Sequence, residues 1–313
     1  MHAMFADPKT DFVFKRIFGA EARKPLLIAL LNNLLEFEGD RCIVEVAHLT
    51  NEQHIDVPEL KLSIVDVKCT DVTGRRFVVE MQVLNVDGFE KRVVYNASKA
   101  YVMQLRHAEG YTTLCDVFGV TICNFNLWTE RDEHGRFKVP MLTRWRMQEQ
   151  HSGVQGLQQV QYAFLELTKY EAGEAPSTLI DKWAYFFRET KNLDVVPPSL
   201  SEGPFRDALE VTRATTFSAG EWEAYERAKM AEQDARGALT LATREGELRG
   251  ELRGELRGRL EGKREALLRA LERRGIVVTE EERESIAVCA DAAALDSWFD
   301  RAFTATAAAE VFA

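Results

Sequence analysis

Apolar and polar positions alternate most sharply in "SIVDVKCTDVTGRRFVVEMQVL", Ser63 to Leu84, where period-two patterning on both sides of a Thr-Gly pair predicts a β-hairpin. Loop length decides which side chains meet. A loop of Thr73-Gly74 alone sets Asp66 against Met81 and mixes apolar with polar residues on both faces. A loop of Val72-Thr73-Gly74, with a type I turn and Gly74 in the left-handed region, pairs Asp66 with Glu80, Val67 with Val79 and Cys69 with Phe77. That register separates the faces. One carries Val65, Val67, Cys69, Phe77, Val79, Met81 and Val83; the other carries Asp66, Lys68, Thr70, Arg76, Glu80 and Gln82, with Ile64, Val78 and Leu84 at its margins.

Elsewhere the period changes. "TDFVFKRIFG" reads as a short amphipathic helix with Thr10 as N-cap, Asp11 in its first turn and Gly19 at its end. "KPLLIALLNNLLEFEG" reads as a second helix with Pro25 near its start and Gly39 after it. After the hairpin, "DGFEKRVVYNASKAYVMQLRHAEGY" predicts a helix ending at Gly110, and "DVFGVTICNFNLW" a largely buried strand. "RFKVPMLTRWRMQ" and "LQQVQYAFLELTKY" predict two later strands, and "STLIDKWAYFFRET" a helix. Helices, hairpin, helix and strand in this order predict an α/β or α+β domain with a mixed sheet. The prolines and Gly-Pro of "NLDVVPPSLSEGPF" predict a boundary near Val196 to Pro204, with a helical tail beyond it.

The 313 residues, 46% hydrophobic, suffice for one sizeable core and an accessory region. No stretch reaches the roughly 18 apolar residues of a membrane span, and the first residues lack a leader pattern, so a cytoplasmic protein without a membrane partner is expected. Five cysteines (42, 69, 115, 123 and 289) form no CxxC pair, and the six histidines are scattered, which argues against a zinc centre. The formal charge of −10 fits a simple nucleic-acid binder poorly. Its distribution changes that picture: between Lys61 and Glu109 eight basic residues face six acidic ones, whereas between Glu202 and Glu310 there are 17 basic and 23 acidic.

Two carboxylates opposite each other on neighbouring strands are unfavourable unless a cation or a proton lies between them. A hard divalent cation such as Mg²⁺ or Mn²⁺ is the simplest candidate, since it binds carboxylate oxygen, keeps water and stabilises charge on a phosphate. A solvated face on which Asp66 and Glu80 pair with Lys68 and Arg76 is the competing reading.

A resemblance bears on the choice. Asp66, followed after thirteen residues by Glu80-Met81-Gln82, is similar to the core of the PD-(D/E)XK nuclease superfamily, and within it to the Rpn recombination-promoting nucleases, also described as PD-(D/E)XK nuclease family transposases. "TDFVFKRIFG", "LLIALLNNLL", "FEKRVVYNASKAYVMQL", "YAFLELTKYE" with "DKWAYFF", and the glycine-punctuated tail before "LLRALERRG" follow in that family's order. The resemblance implies an α/β restriction-endonuclease-like core, with a mixed sheet flanked by helices, plus a C-terminal helical tail. It implies a metal-dependent DNA endonuclease tied to recombination or mobile elements, with Mg²⁺, or Mn²⁺ or another divalent ion, as cofactor and DNA as partner.

Asp66 and Glu80 would be metal ligands, with the Val79 or Met81 carbonyl as a further oxygen. Asp11 matches the acidic residue that many superfamily members place on their first core helix, or else only complements the helix dipole. Gln82 stands where the superfamily has lysine; it can bond water or phosphate but carries no charge. Lys68, on the same face, supplies that charge or is a surface residue. Arg92, Tyr95 and Lys99 fall at helical spacing and either hold the phosphate backbone or divide between core and solvent. The alternative function is a nuclease-like protein that binds nucleic acid or a partner without cutting.

The tail contains "GELRGELRGELRGRLEGKRE", with glycine at 246, 250, 254, 258 and 262. As a helix it sets a leucine stripe (248, 252, 256, 260) between glutamate and arginine flanks, with glycine opposite. Like charges four apart and glycines costing about 1 kcal/mol each predict weak helicity alone. Two copies meeting in parallel through leucine would set glutamate against arginine, giving a homo-oligomer through the tail; a flexible charged linker is the other reading. The expected organisation is therefore a nuclease-like domain over 1–196, a linker and helical segment over 197–243, the repeat over 244–264 and a helical module over 265–313.

Overall fold

The computed structural model describes residues 4–53, 63–106 and 108–312; Met1 to Ala3 and Lys61, used above for the leader and charge readings, lie outside them. Two compact units divide the chain, Met1–Asp234 and Ala235–Ala313.

The first unit opens with helix α1 (Asp11–Phe18), whose Val13, Phe14, Ile17 and Phe18 are buried at the spacing of one helical face. Thr10 makes no side-chain cap; its hydroxyl donates to the Asp7 carbonyl. Helix α2 (Lys24–Leu35) begins with Pro25 in its first turn and ends at Glu36, which takes the left-handed conformation ahead of Gly39. A six-stranded mixed sheet follows, built from β1 (Val46–His48), β4 (Val67–Asp71), β5 (Arg76–Gln82), β6 (Val117–Cys123), β7 (Leu142–Trp145) and β8 (Val160–Glu166) in the order β1-β4-β5-β6-β8-β7. The short strands β2 (Glu52–Gln53) and β3 (Ser63–Ile64) pair separately. The neighbours β5, β6 and β8 run parallel, while β4 and β7 run antiparallel to theirs.

The hairpin register is the three-residue-loop one: Val67 pairs with Val79 and Cys69 with Phe77. Asp71 N–H donates to the Arg75 carbonyl at 3.0 Å and Gly74 N–H to the Asp71 carbonyl at 3.1 Å. Gly74 has φ +87°, a region in which a side chain is strained.

Helices pack on both faces of the sheet. Helices α1, α2, α4 (Leu179–Glu189) and α5 (Gly203–Thr212) share a core with Val67, Cys69, Phe77, Val79 and Met81. On the other face α3 (Phe89–Val102) lays Ala97 and Ala100 against Val78 and Val117. Three details depart from the sequence reading. Helix α3 stops at Val102 rather than Gly110. Val65 packs beneath α3 and not with Val67, because the chain bends at Asp66. Val78 is buried core, not a margin.

The expected boundary at residue 196 falls inside the first unit. Pro198 opens a single 3-10 turn, after which α5 returns to the core, burying Phe205, Ala208 and Leu209 with the Phe205 ring 4.9 Å from that of Trp183. Helix α6 (Ala219–Arg273) begins in the first unit and ends in the second. In the second unit its last turns, with α7 (Glu280–Val288), α8 (Ala292–Ala302) and α9 (Ala308–Phe312), enclose a core that includes Leu267, Leu271, Ile286, Leu295 and Val311. Thr279 and Glu282 form a capping box on α7. Among the described residues no helix is long and apolar enough to cross a membrane.

Because Phe205 is core, Phe205→Ala should lower the unfolding free energy of the first unit by roughly 3–5 kcal/mol in urea titration. A loss below about 1 kcal/mol would put α5 outside that cooperative unit.

Candidate nuclease site

Hydrogen-bonded and non-hydrogen-bonded pairs alternate along an antiparallel ladder. Asp71 and Arg75 are a hydrogen-bonded pair, so Cys69–Phe77, Val67–Val79 and then Val65–Met81 are the next in line. The last of these does not form. Val65 N–H instead donates to the Asn51 carbonyl at 3.2 Å, and Met81 N–H donates to Asp66 Oδ2 at 2.8 Å. Asn51 completes the bend by donating from Nδ2 to the Asp66 carbonyl at 2.8 Å. A carboxylate thus takes the acceptor position that a backbone carbonyl would hold, and Asp66 is fixed beside β5.

Glu80, one residue before Met81, is 5% exposed. Its Oε1 accepts from Asn96 Nδ2 of α3 at 2.6 Å and its Oε2 from Gln82 Nε2 at 3.2 Å. Gln82 Oε1 in turn accepts from Arg92 Nη2 at 2.5 Å. A polar chain therefore runs from exposed Arg92 through Gln82 to Glu80. Burial raises the Glu80 pKa, against the Asn96 hydrogen bond and the Arg92 charge, which lower it.

Asp66 is raised further, to about 7: burial dominates, the Met81 N–H opposes it, and the charges of Asp11 and Glu80 raise it while Lys15 lowers it. Helix α1 brings Asp11 and Lys15 here. Lys15 Nζ lies 2.6 Å from Asp11 Oδ1 and 3.9 Å from Asp66 Oδ1, so the ammonium stands between the two acids.

The structure thus gathers Asp66, Glu80, Gln82 and Arg92, with Asp11 at the rim, its side chain 62% exposed. Lys68 and Lys99 point to a different neighbourhood. Both are buried, and the charges that bear on Lys68 are Arg76 and Lys99, not the acids. Burial first, then these two cations, lowers the Lys68 pKa to about 8. Tyr95 lies under Lys99, its ring centre 5.2 Å from the ammonium. The three residues expected to line one helix face therefore divide: Arg92 reaches the acids and Lys99 a basic cluster. Sequence reading missed Lys15 and Asn96. Their signal was spacing, Lys15 one turn after Asp11 and Asn96 one turn after Arg92.

The family described as PD-(D/E)XK nuclease family transposase matches residues 8–242, well over half of the chain. The chain belongs to that family. Comparison with curated proteins and with solved structures gave no match. Membership makes this a nuclease-family domain related to transposition or recombination, and PD-(D/E)XK nucleases generally use divalent metals. The family match spans α1 to the early part of α6 and stops ahead of the Gly-Glu-Leu-Arg repeat.

The residues present suit such an ion. The donor set is carboxylate, with Asp66 and Glu80 desolvated and Asp66 repelled by both Glu80 and Asp11, so a hard cation would relieve a conflict that otherwise requires a proton. Among the described residues no three His, Cys, Asp or Glu groups converge into a ligand cluster. A bound ion would therefore depend on two side chains completed by backbone oxygen and water.

The raised Asp66 pKa sets a pH dependence. Folded Asp66 holds its proton up to about pH 7 whereas the unfolded residue loses it near pH 4, so stability should fall as pH rises through that window, by up to about 1.4 kcal/mol per pH unit. Asp66→Asn, which keeps an acceptor for Met81 N–H, should flatten the profile in urea titrations without divalent ions. An unchanged slope would assign the titration to another group.

Proposed function

We propose that this chain is a divalent-metal-dependent endonuclease, with Mg²⁺ the natural ion, that hydrolyses phosphodiester bonds in DNA during recombination or the movement of mobile elements. The observation that carries this reading is the placement of two desolvated carboxylates, Asp66 half-buried and Glu80 buried, where the hairpin ladder is interrupted: Asp66 is held by Met81 N–H, and Glu80 is gripped by Asn96 and Gln82. Asp66 and Glu80 would hold the ion together with backbone oxygen and water, with Asp11 at the rim outside that set. When bound, the ion supplies Lewis-acid stabilisation of the phosphate and lowers the pKa of coordinated water.

The protein's own groups do the rest. Gln82 orients Glu80 through its amide N–H and keeps Arg92 in place through its carbonyl oxygen. The guanidinium thereby brings to the site the positive charge that glutamine lacks, and its remaining N–H groups can donate to non-bridging phosphate oxygens as negative charge builds there. Lys15 balances the charge of Asp11 and Asp66 at the entrance.

Plasmid cleavage by the purified chain with and without Mg²⁺ tests the assignment. Asp66→Asn and Glu80→Gln should each lower the rate by about two orders of magnitude or more while still binding DNA. Wild-type protein that binds DNA but leaves it intact with every divalent ion would favour the binding-only alternative.

Gln82 gives a sharper test. Gln82→Lys should retain or raise activity and make Arg92→Ala tolerable, whereas in the wild-type background Arg92→Ala and Gln82→Ala should each cost about tenfold or more. Equal effects of Arg92→Ala in both backgrounds would dissociate the arginine from residue 82.

A further inference from the structure

On the flank of α3 away from the acidic pair, the ends of β7 and β8 and the segment after β6 border a cavity of about 340 Å³. Arg92 and Asn96 reach Gln82 and Glu80 from one side of the helix, whereas Glu90, Val93 and Val94 line this cavity from the other. Trp128, Trp145, Tyr162 and Phe164 give it aromatic walls, and of its eleven lining residues only Glu90 and Arg146 are charged. A volume near the lower end of the roughly 300–1,000 Å³ of small-molecule sites suits a single planar ring system.

The two tryptophans are fixed before any ligand arrives. Trp145 Nε1 donates to Thr143 Oγ1 at 3.0 Å, and its ring stacks on that of Trp128 at 4.8 Å with 28° between the planes. Trp128 is braced in turn by the edge-on contact with Phe164 at 5.1 Å, and its backbone N–H donates to the buried Glu166 carboxylate at 3.3 Å. Trp145 nonetheless stays 42% exposed, and Val94 and Met147 on the same cavity are 50% and 55% exposed. Leaving this much apolar surface in water is unfavourable, and a flat ring laid on the indole would cover it. Because the indole is already ordered, stacking on it costs little further conformational entropy.

We propose that this cavity binds the base of an unpaired guanine nucleotide. Aromatic walls accept any base through its π face, so the two charges must choose among them. A carboxylate only accepts hydrogen bonds and presents two oxygens side by side, which matches the adjacent N1–H and N2–H donors of guanine to Glu90. Adenine and cytosine carry an acceptor at the corresponding ring nitrogen, and thymine flanks its one N–H with carbonyl oxygens. Each of these sets an acceptor against the carboxylate. Arg146, next to Trp145 in the chain, supplies the cation for the phosphate of the same nucleotide. Among the described residues neither Glu90 nor Arg146 is engaged in an ion pair, so both are available to a ligand. The inference stands apart from the nuclease reading, because the cavity uses no group of the acidic site.

Isothermal titration calorimetry of the full chain with deoxyguanosine 5′-monophosphate, in the absence of divalent ions, tests it. Saturable binding is expected, at least about tenfold tighter than that of the adenine, cytosine and thymine nucleotides. Trp145→Ala should weaken it about tenfold or more through lost stacking. Glu90→Ala should remove the preference for guanine while leaving weak binding of every base, and Arg146→Ala should reduce the affinity for the nucleotide to that for the nucleoside. All three side chains are exposed, so these changes leave the core intact. A short oligothymidylate carrying one guanine identifies the source of the base: binding tighter than that of the free nucleotide places it on a strand, and equal or weaker binding makes the free nucleotide the ligand. No saturable heat at millimolar nucleotide, binding indifferent to Trp145→Ala, or equal affinity for all the bases would overturn the proposal.

Discussion

A single hydrogen bond organises the site: Met81 N–H donating to the Asp66 carboxylate where the ladder should continue through Val65. An antiparallel pair that broke without replacement would leave a poorly hydrated N–H, a cost comparable to a lost hydrogen bond. The carboxylate removes that cost and is itself immobilised. Everything nearby adjusts to the arrangement. Asn51 takes up Val65 N–H and the Asp66 carbonyl, α1 supplies Lys15, and α3 supplies Asn96. The remaining conflict is electrostatic, since Asp66 is desolvated and the charges of Asp11 and, less, Glu80 oppose its ionisation. A proton or a cation resolves it, and the choice between them links fold stability to the chemistry expected of this nuclease family.

Helix α3 serves two electrostatic neighbourhoods. Its Arg92 and Asn96 reach the acidic pair, while Lys99, one turn further along, is buried near Lys68 and Arg76. One rigid helix thus places a partner on the buried Glu80 carboxylate and a buried cation on the basic cluster, so the two neighbourhoods are fixed relative to each other. The departure from a lysine at residue 82 is accommodated in the same way. Gln82 is a bridge, and the charge it lacks arrives from α3.

Much of this was legible in the sequence, for local reasons. Alternation and Gly74 were enough to choose the hairpin register, because a one-residue slip exchanges the faces of the whole strand. The expected pairing of Asp66 with Glu80 did not follow from it: the ladder ends at Val67–Val79, and Asp66 meets the Met81 N–H instead. What was not legible depends on partners distant in the chain. The bend at Asp66 requires Asn51, so Val65 changed faces without any local sign. Lys99 looked like an exposed neighbour of Arg92 until α3 was laid against β4 and β5. Tandem prolines were read as a domain end, yet Pro198 only redirects the chain before Phe205 re-enters the core. Local turn chemistry marks where a helix cannot continue; it does not reveal whether the next helix packs on the same core.

The repeat in α6 has a property that a mixed sequence of the same length would lack. One Gly-Glu-Leu-Arg unit advances the helix by about 6 Å and turns it by about 40°. Gain or loss of a whole unit preserves the order of the glycine, glutamate, leucine and arginine faces, whereas a single added residue swings everything downstream by about 100° and puts glutamate where leucine stood. In genetic terms, in-frame changes of twelve nucleotides are nearly silent for the chemistry of this surface, and the element can lengthen or shorten like a ruler graduated in whole units.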